Sequence, residues 1–380
     1  LKCFQVGRTK TQWLTAWQCR SPMSTKIGEI ELLKPLAVGT MAWGRTWLDN
    51  KLNRGNLSDE TCAAIYKELT EVHQIQLFDS AEGYGGGTSE ERLHDLRHLS
   101  ADEKRTYPVL FATKFLPTIA RWSRSSFHRA LTKSCERLGS CDIYFLHTPI
   151  HPLPLEFWIS CACDAAKAGV IKEIGISNCN AAQVRRACAE AARHGRRIAA
   201  NQVMFNLLCF NSPELQEMWK TCQELDVKIV AFGTVGQGLL TDNLTDEKFA
   251  KIRLAKMTGL KRDELTDLRS NLEHLASKYG KSMAQICVNW AICHGTIPLV
   301  GIRSLEQARD TVGALGWKLE QEDLEELDRH ALRRGTLAKP RWKRAAFVMF
   351  ISTLVFCYQL NHLVDWCKSK WRNFWSSHHD

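Results

Sequence analysis

The stretch Ile171–Met204, IKEIGISNCNAAQVRRACAEAARHGRRIAANQVM, decides the fold, because it changes hydrophobic period twice. An apolar run from Lys172 to Ser177 stops at polar residues, helical periodicity covers Ala181 to His194, and a second apolar run spans Ala200 to Met204. Strand, helix and strand in that order form a unit that calls for a parallel sheet. The same alternation continues outward in both directions. Further candidate strands are Leu36 to Gly39, Ile75 to Ser80, Leu110 to Lys114, Ile143 to His147, Lys228 to Phe232 and Thr296 to Val300. Helical periodicity covers Ser58 to Glu71, Ser89 to His98, Ser123 to Leu138, Leu155 to Ala168 and Pro213 to Leu225. It returns over Glu264 to Tyr279, Ser282 to His294, Leu305 to Gly313 and Glu322 to Leu332. Eight strand–helix units in roughly 300 residues predict an α/β fold, a closed (β/α)8 TIM barrel, rather than an open sheet. Ile27 to Leu33 is read as a hairpin closing the barrel floor.

Composition limits what such a barrel can do. The chain has 380 residues and a formal charge of +10. That charge sits at the ends: Lys2, Arg8, Lys10, Arg20 and Lys26 lie in residues 1–28 without an acid, and residues 339–380 hold seven basic residues against Asp365 and Asp380. The body between is balanced and offers no general field for nucleic acid. Fifteen cysteines spread through a large body read as reduced thiols packed as small hydrophobes, and Cys161 with Cys163 lacks the partners of a zinc set, so no metal is expected.

The two ends form separate domains in this reading. Residues 1–28 have the basic, acid-free character of an organellar presequence, for a plastid or a mitochondrion; the alternative is a leader without an address. Residues 29–338 form the barrel. In the tail, 339–380, Ala345 to Tyr358 is apolar apart from Ser352 and Thr353 and is flanked by basic residues and tryptophans. Extended to Val364 it gives about 30 Å of helix, so 345–364 is read as a membrane anchor, against the alternative of a helix docked on the body.

A barrel collects its chemistry at the carboxyl ends of its strands, with phosphate sites after the last two. Asp79 ends the second candidate strand, Lys114 the third, His147 the fourth, and Ser177 with Asn178 the fifth; Gln202 lies in the sixth. Phe232 to Gly238 (FGTVGQG) follows the seventh and Gly301-Ile302-Arg303-Ser304 the eighth. The glycines of the former lack the order and the following acid of an open-sheet dinucleotide fingerprint, and serve a loop that lets backbone approach a pyrophosphate. Carbonyl reduction by hydride builds negative charge on oxygen, which must be met by a proton and by donors aimed at it. Tyr84 is the candidate acid. A phenol has a pKa near ~10, and an adjacent ammonium lowers it, the role read for Lys114 with Asp79 as its counter-ion. His147 would orient the substrate oxygen.

At six places in order the chain resembles the aldo-keto reductase family: Phe78 to Leu93 (FDSAEGYGGGTSEERL), Phe111 to Phe115, Tyr144 to Pro149, Ile171 to Asn180, Asn201 to Leu208 and Ile297 to Ala308. The resemblance covers residues 30 to 330 or so. It implies an NADPH-dependent oxidoreductase acting on aldehydes and ketones, with Asp79, Tyr84, Lys114 and His147 as the catalytic group. It implies that Ser177, Asn178 and Gln202 bind the nicotinamide amide and that Phe232, where the family often has Tyr, stacks on the ring. Gly39, Thr40, Gly238 and Gly301 would touch the cofactor, Arg303 and Ser304 would hold the 2′-phosphate, and Gln307 and Asp310 would lie near the adenine. Thr311 stands where Asn is frequent. Trp43, Trp47 and Thr148 would line the pocket for a small carbonyl substrate. The alternative is an NADP-binding regulatory subunit of a membrane protein, like the potassium-channel β subunits of the same family.

Overall fold

The computed structural model describes residues 25–44, 57–99 and 106–334. The leader, apart from its last few residues, the tail 335–380 and Trp47 therefore lie outside the described residues. Among the described residues no helix is long and apolar enough to cross a membrane, and no group of three or more His, Cys, Asp or Glu side chains could hold a metal ion.

Two short strands, β1 (Lys26–Ile27) and β2 (Ile30–Glu31), pair antiparallel as the expected hairpin. Then follow β3 (Ala37–Gly39), helix α1 (Asp59–Lys67), β4 (Leu77–Asp79), α2 (Thr88–Leu99), β5 (Leu110–Phe115), α3 (Arg124–Leu138) and β6 (Ile143–Leu146). The chain continues with α4 (Leu155–Lys167), β7 (Glu173–Ser177), α5 (Ala181–Arg193), β8 (Ile198–Met204), α6 (Pro213–Glu224) and β9 (Lys228–Phe232). Two short helices, α7 (Asp246–Lys251) and α8 (Arg253–Thr258), occupy a stretch that periodicity does not mark. Last come α9 (Thr266–Tyr279), α10 (Met283–Cys293), β10 (Ile297–Gly301), α11 (Leu305–Val312) and α12 (Gln321–His330). Strands β3 to β10 close into one parallel barrel, with β10 bonded to both β9 and β3.

Local chemistry sets the helix starts. Ser123, Asn180 and Ser282 each cap a helix and form reciprocal pairs with Ser126, Gln183 and Gln285, answering amide groups that have no partner in the first turn. Ser212 caps α6 just before Pro213, whose missing N–H is harmless at that position.

Burial separates the two faces of each strand. Ala37, Leu77, Leu110, Ala112, Ile143, Phe145, Ala200, Val230 and Leu299 fill the barrel interior together with Ile27, Ile30 and Leu32 from the floor. Val38, Phe78 and Phe111 face outward into the helix layer. The floor hairpin is tied on by the Glu29 amide, which donates to Glu173 Oε1 at 2.5 Å, and by the Leu33 amide, which donates to Gln76 Oε1 at 2.6 Å. Most cysteines of the described body are buried; burial raises the Cys161 and Cys163 thiols to about 11, which keeps them inert.

Gly175 explains the glycine in the opening stretch. A Cβ placed on it would fall 2.2 Å from the Phe145 ring, so the largest interior side chain of β6 needs a bare backbone beside it. Gly175→Ala is therefore expected to lose about 1–3 kcal/mol to overpacking. Urea unfolding checks this; an unchanged midpoint would mean that Phe145 has room to move.

Candidate active site

Strand alternation aims the functional side chains. Leu77, Ala112, Phe145, Ala200 and Val230 point into the barrel. Side chains repeat every second residue, so Asp79, Lys114, His147, Gln202 and Phe232 point inward at the next level up, where the strands end. The register of β4 against β5 sets Asp79 opposite Ala112, one step below Lys114.

Lys114 is fully buried. Its ammonium donates to Asp79 Oδ2 and, at 2.6 Å, to the Ser80 carbonyl; it also hydrogen-bonds the Tyr84 side chain and lies 4.8 Å from the centroid of that ring. Burial alone would push the Lys114 ammonium down, but the Asp79 carboxylate and then Tyr84 outweigh it and hold it above its ordinary value. Asp79 is raised by burial and drawn back by Lys114 and by Gln202, whose Nε2 donates to Asp79 Oδ1 at 2.8 Å. Tyr84 meets His147 edge-on, with ring centroids 6.0 Å apart. Burial, and then the Lys114 charge, lower His147 to about 3, so its ring is neutral at ordinary pH.

Tyr84 stands at the head of a glycine loop. Gly85, Gly86 and Gly87 all have positive φ (57°, 64° and 104°), a run that only glycine makes without strain. Beneath it, Ser89 Oγ donates to the Thr40 carbonyl at 2.9 Å, and Thr40 Oγ1 donates to the Asp79 carbonyl at 3.0 Å.

The cofactor candidates divide into two groups. Ser177 Oγ donates to the Gln202 carbonyl at 2.8 Å, and Asn178, in the left-handed region at φ 59°, donates to the His147 carbonyl at 3.1 Å. These residues join Asp79, Tyr84, Lys114 and His147 in one bonded network. Phe232 is half-buried at the end of β9, and a Cβ built on Gly238 or Gly301 meets nothing within 4 Å. Arg303 is exposed, and Ser304 Oγ caps α11 by accepting from the Gln307 amide at 3.1 Å.

Five of the expected contact residues have partners within the protein. The Thr40 side chain is buried and bonds Asp79 and Ser89, while Gly39 beside it keeps part of its surface open. Asp310 turns its carboxylate to Ser282 Oγ at 2.8 Å, and Gln307 accepts from the Arg303 amide at 2.9 Å, so both are engaged within the protein. Trp43 is fully buried in the helix layer and donates from Nε1 to the Ile302 carbonyl at 2.8 Å, bracing the loop after β10. Thr148 is nearly buried and accepts from the Ile150 amide at 3.3 Å. Conversely, Met41, Ile119 and Trp122 are exposed (43%, 47% and 54%) on loops after β3 and β5, at the same mouth. Their signal was a large apolar residue inside a strand-end loop.

The parallel eight-stranded barrel carries buried Asp79 and Lys114, a half-buried His147 and the loop Tyr84 at its mouth. The Aldo/keto reductase family matches residues 35–332, and the chain belongs to that family. Pyridoxal reductase, chloroplastic, of Arabidopsis thaliana is 29% identical over 317 residues, covering 80% of this chain and 84% of that protein. Aldo-keto reductase yakc [NADP(+)] of Schizosaccharomyces pombe is 27% identical, covering 72% and 83%. Among solved structures, the thermostable aldo-keto reductase Tm1743 with the inhibitor epalrestat superposes with a TM-score of 0.63 at 22% identity, covering 81% of this chain and all of that one. An aldo-keto reductase of Bombyx mori solved with NADP reaches 0.61 at 19%, covering 85% and 95%.

The neutral His147 has a thermodynamic consequence. Its pKa falls from 6.5 to about 3 on folding, so between those values the unfolded chain binds more protons there than the folded one. The stability this histidine allows is present above pH 6.5 and is lost as pH falls toward 3. His147→Gln is expected to narrow the drop in melting temperature between neutral and acidic buffer. An undiminished drop would mean that the ring is charged in the folded protein.

Proposed function

We propose that this protein reduces aldehydes or ketones with NADPH, with Tyr84 as proton donor. The observation that carries the reading is Lys114, an ammonium buried between the carboxylate of Asp79 and the phenol of Tyr84. An ammonium in that position favours the phenolate, so Tyr84 gives up its proton more readily and the charge left behind is already matched. Asp79 keeps Lys114 charged and in place. His147, being neutral, cannot deliver a proton as imidazolium, which leaves the acid role to Tyr84 and gives His147 the task of orienting the substrate oxygen through a ring N–H.

The residues present fit a dinucleotide. There is open space over Gly238 and Gly301, Phe232 is half-buried, and Arg303 is exposed beside the start of α11, all at or just after the ends of β9 and β10. When bound, NADPH supplies the hydride. Ser177, Asn178 and Gln202 would hold the nicotinamide end, and Arg303 would fork onto the 2′-phosphate, with α11 offering its amide end. Met41, Ile119 and Trp122 support carbonyl compounds with an apolar or aromatic body.

NADPH oxidation by the purified full chain against an aldehyde panel tests the activity. Pyridoxal heads the panel, because the Arabidopsis relative is named for its reduction. Turnover is expected with at least one aromatic aldehyde, and Tyr84→Phe should lower kcat by about 10²–10⁴-fold, the range for loss of a general acid. Tight NADPH binding without turnover of any member would favour the regulatory-subunit reading. Equal rates in the variant would remove Tyr84 as the acid.

Arg303→Ala is expected to weaken NADPH binding by roughly tenfold or more while leaving NADH nearly unchanged, since a charged hydrogen bond contributes about 1.5–3 kcal/mol. Fluorescence titration with both cofactors decides it. Equal losses would mean that Arg303 does not read the 2′-phosphate.

A further inference from the structure

The geometry points to Glu90 and Glu82 as positioning residues that clamp the Tyr84 loop to strand β5 on both sides of Lys114, and so hold the phenol against the ammonium. This inference rests on the reductase reading above. Glu90 is a carboxylate with no exposure at all, on the first turn of α2, six residues after Tyr84. One of its oxygens accepts from Thr113 Oγ1, the residue next to Lys114. The other accepts from Arg137 of α3 at 2.6 Å. The Arg137 guanidinium lies directly under the loop: a Cβ on Gly87 would fall 2.7 Å from its Nε. Glu82, two residues before Tyr84, accepts from the Leu116 amide at 2.6 Å, just past the end of β5. It also takes both arms of Arg121, at 2.5 and 2.8 Å.

The two carboxylates thus bind the strand at Thr113 and at Leu116, with Lys114 between them. Backbone restraint cannot do this alone, because three successive glycines leave the loop with many accessible conformations. A purely structural contact between α2 and β5 would be served better by an apolar residue, since a buried ion pair seldom stabilises more than the hydrophobic side chains that could replace it. Burial raises the Glu90 carboxyl, a cost that Arg137 and Thr113 oppose. The carboxylate's value lies in direction: it fixes Thr113 and holds Arg137 under Gly87, and through them the separation of Lys114 and Tyr84, to which proton transfer is sharply sensitive.

Glu90→Gln, Glu82→Gln and Thr113→Val in the full chain test the clamp, with wild type and Tyr84→Phe alongside. Loss of either carboxylate should lower kcat by about 10- to 100-fold while KM for the aldehyde and Kd for NADPH change less than about twofold. In a Tyr84→Phe background, Glu90→Gln should cost little more, because a residue acting through Tyr84 has nothing left to position. Amide hydrogen exchange over Gly85–Thr88 should rise in Glu90→Gln whether or not a substrate is known. An active wild type with unchanged kcat and exchange in both Gln variants overturns the clamp. So does a kcat loss that multiplies undiminished with Tyr84→Phe. A wild type that binds NADPH and reduces nothing overturns the reductase reading instead, and the exchange measurement then still decides the clamp. If Glu90→Gln does not fold, Thr113→Val, which exchanges one hydroxyl for a methyl group of similar size, carries the same comparison.

Discussion

An ammonium buried in the mouth of an apolar barrel must be answered by its surroundings, and the arrangement of the whole site follows from that demand on Lys114. Desolvating an isolated charge costs several kcal/mol, and breaking a buried pair leaves the remaining charge uncompensated. Asp79, the Ser80 carbonyl and Tyr84 answer three directions around the Lys114 nitrogen. Each arrives from β4 or the loop after it, so the pairing of β4 with β5 is also the pairing of charge with counter-charge. The same ammonium reaches beyond its bonded partners and helps to keep His147 neutral. Two groups of the site thereby receive different protonation behaviour from one buried charge.

Rigidity around that charge is uneven. The strands that carry Asp79, Lys114 and Gln202 are held by ladder bonds on both sides, whereas Tyr84 sits on a loop whose three glycines resist little. Hydrogen bonds from outside the loop supply what its backbone lacks. They come from strand and helix segments already packed against the barrel, chiefly Thr113, Leu116 and Arg137 through the carboxylates that flank the loop. Flexibility at Tyr84 and stiffness at Lys114 are compatible because their contacts lie on the same strand.

The strand order, the hairpin under the barrel and the residues ending each strand were legible from changes of hydrophobic period, because a parallel barrel writes each strand as an apolar run bounded by polar residues. Which face of a strand turns inward was not legible. Strands covered on both sides are apolar throughout, so the alternation that marks a half-exposed strand is missing. Beyond the strands, Trp43 packs outward against the helices, and the polar groups of Thr40 and Asp310 bond Asp79 and Ser282, partners that no local pattern shows. Glu90 left a fainter mark. It precedes Leu93 by three residues on the buried face of α2, a carboxylate where helical periodicity expects an apolar side chain. Its partners Thr113 and Arg137 lie 23 and 47 residues away in the chain, beyond what local pattern connects.

The sequence by itself determined the (β/α)8 order, the family and the four groups that meet at the strand ends, because period and residue chemistry are local properties. Only the tertiary structure decided that Lys114 is buried, that His147 is neutral, that Trp43 braces a loop and that two carboxylates flank the Tyr84 loop. Burial, desolvation and hydrogen-bond direction depend on which distant strand or helix closes over a side chain, and that is settled when the barrel closes.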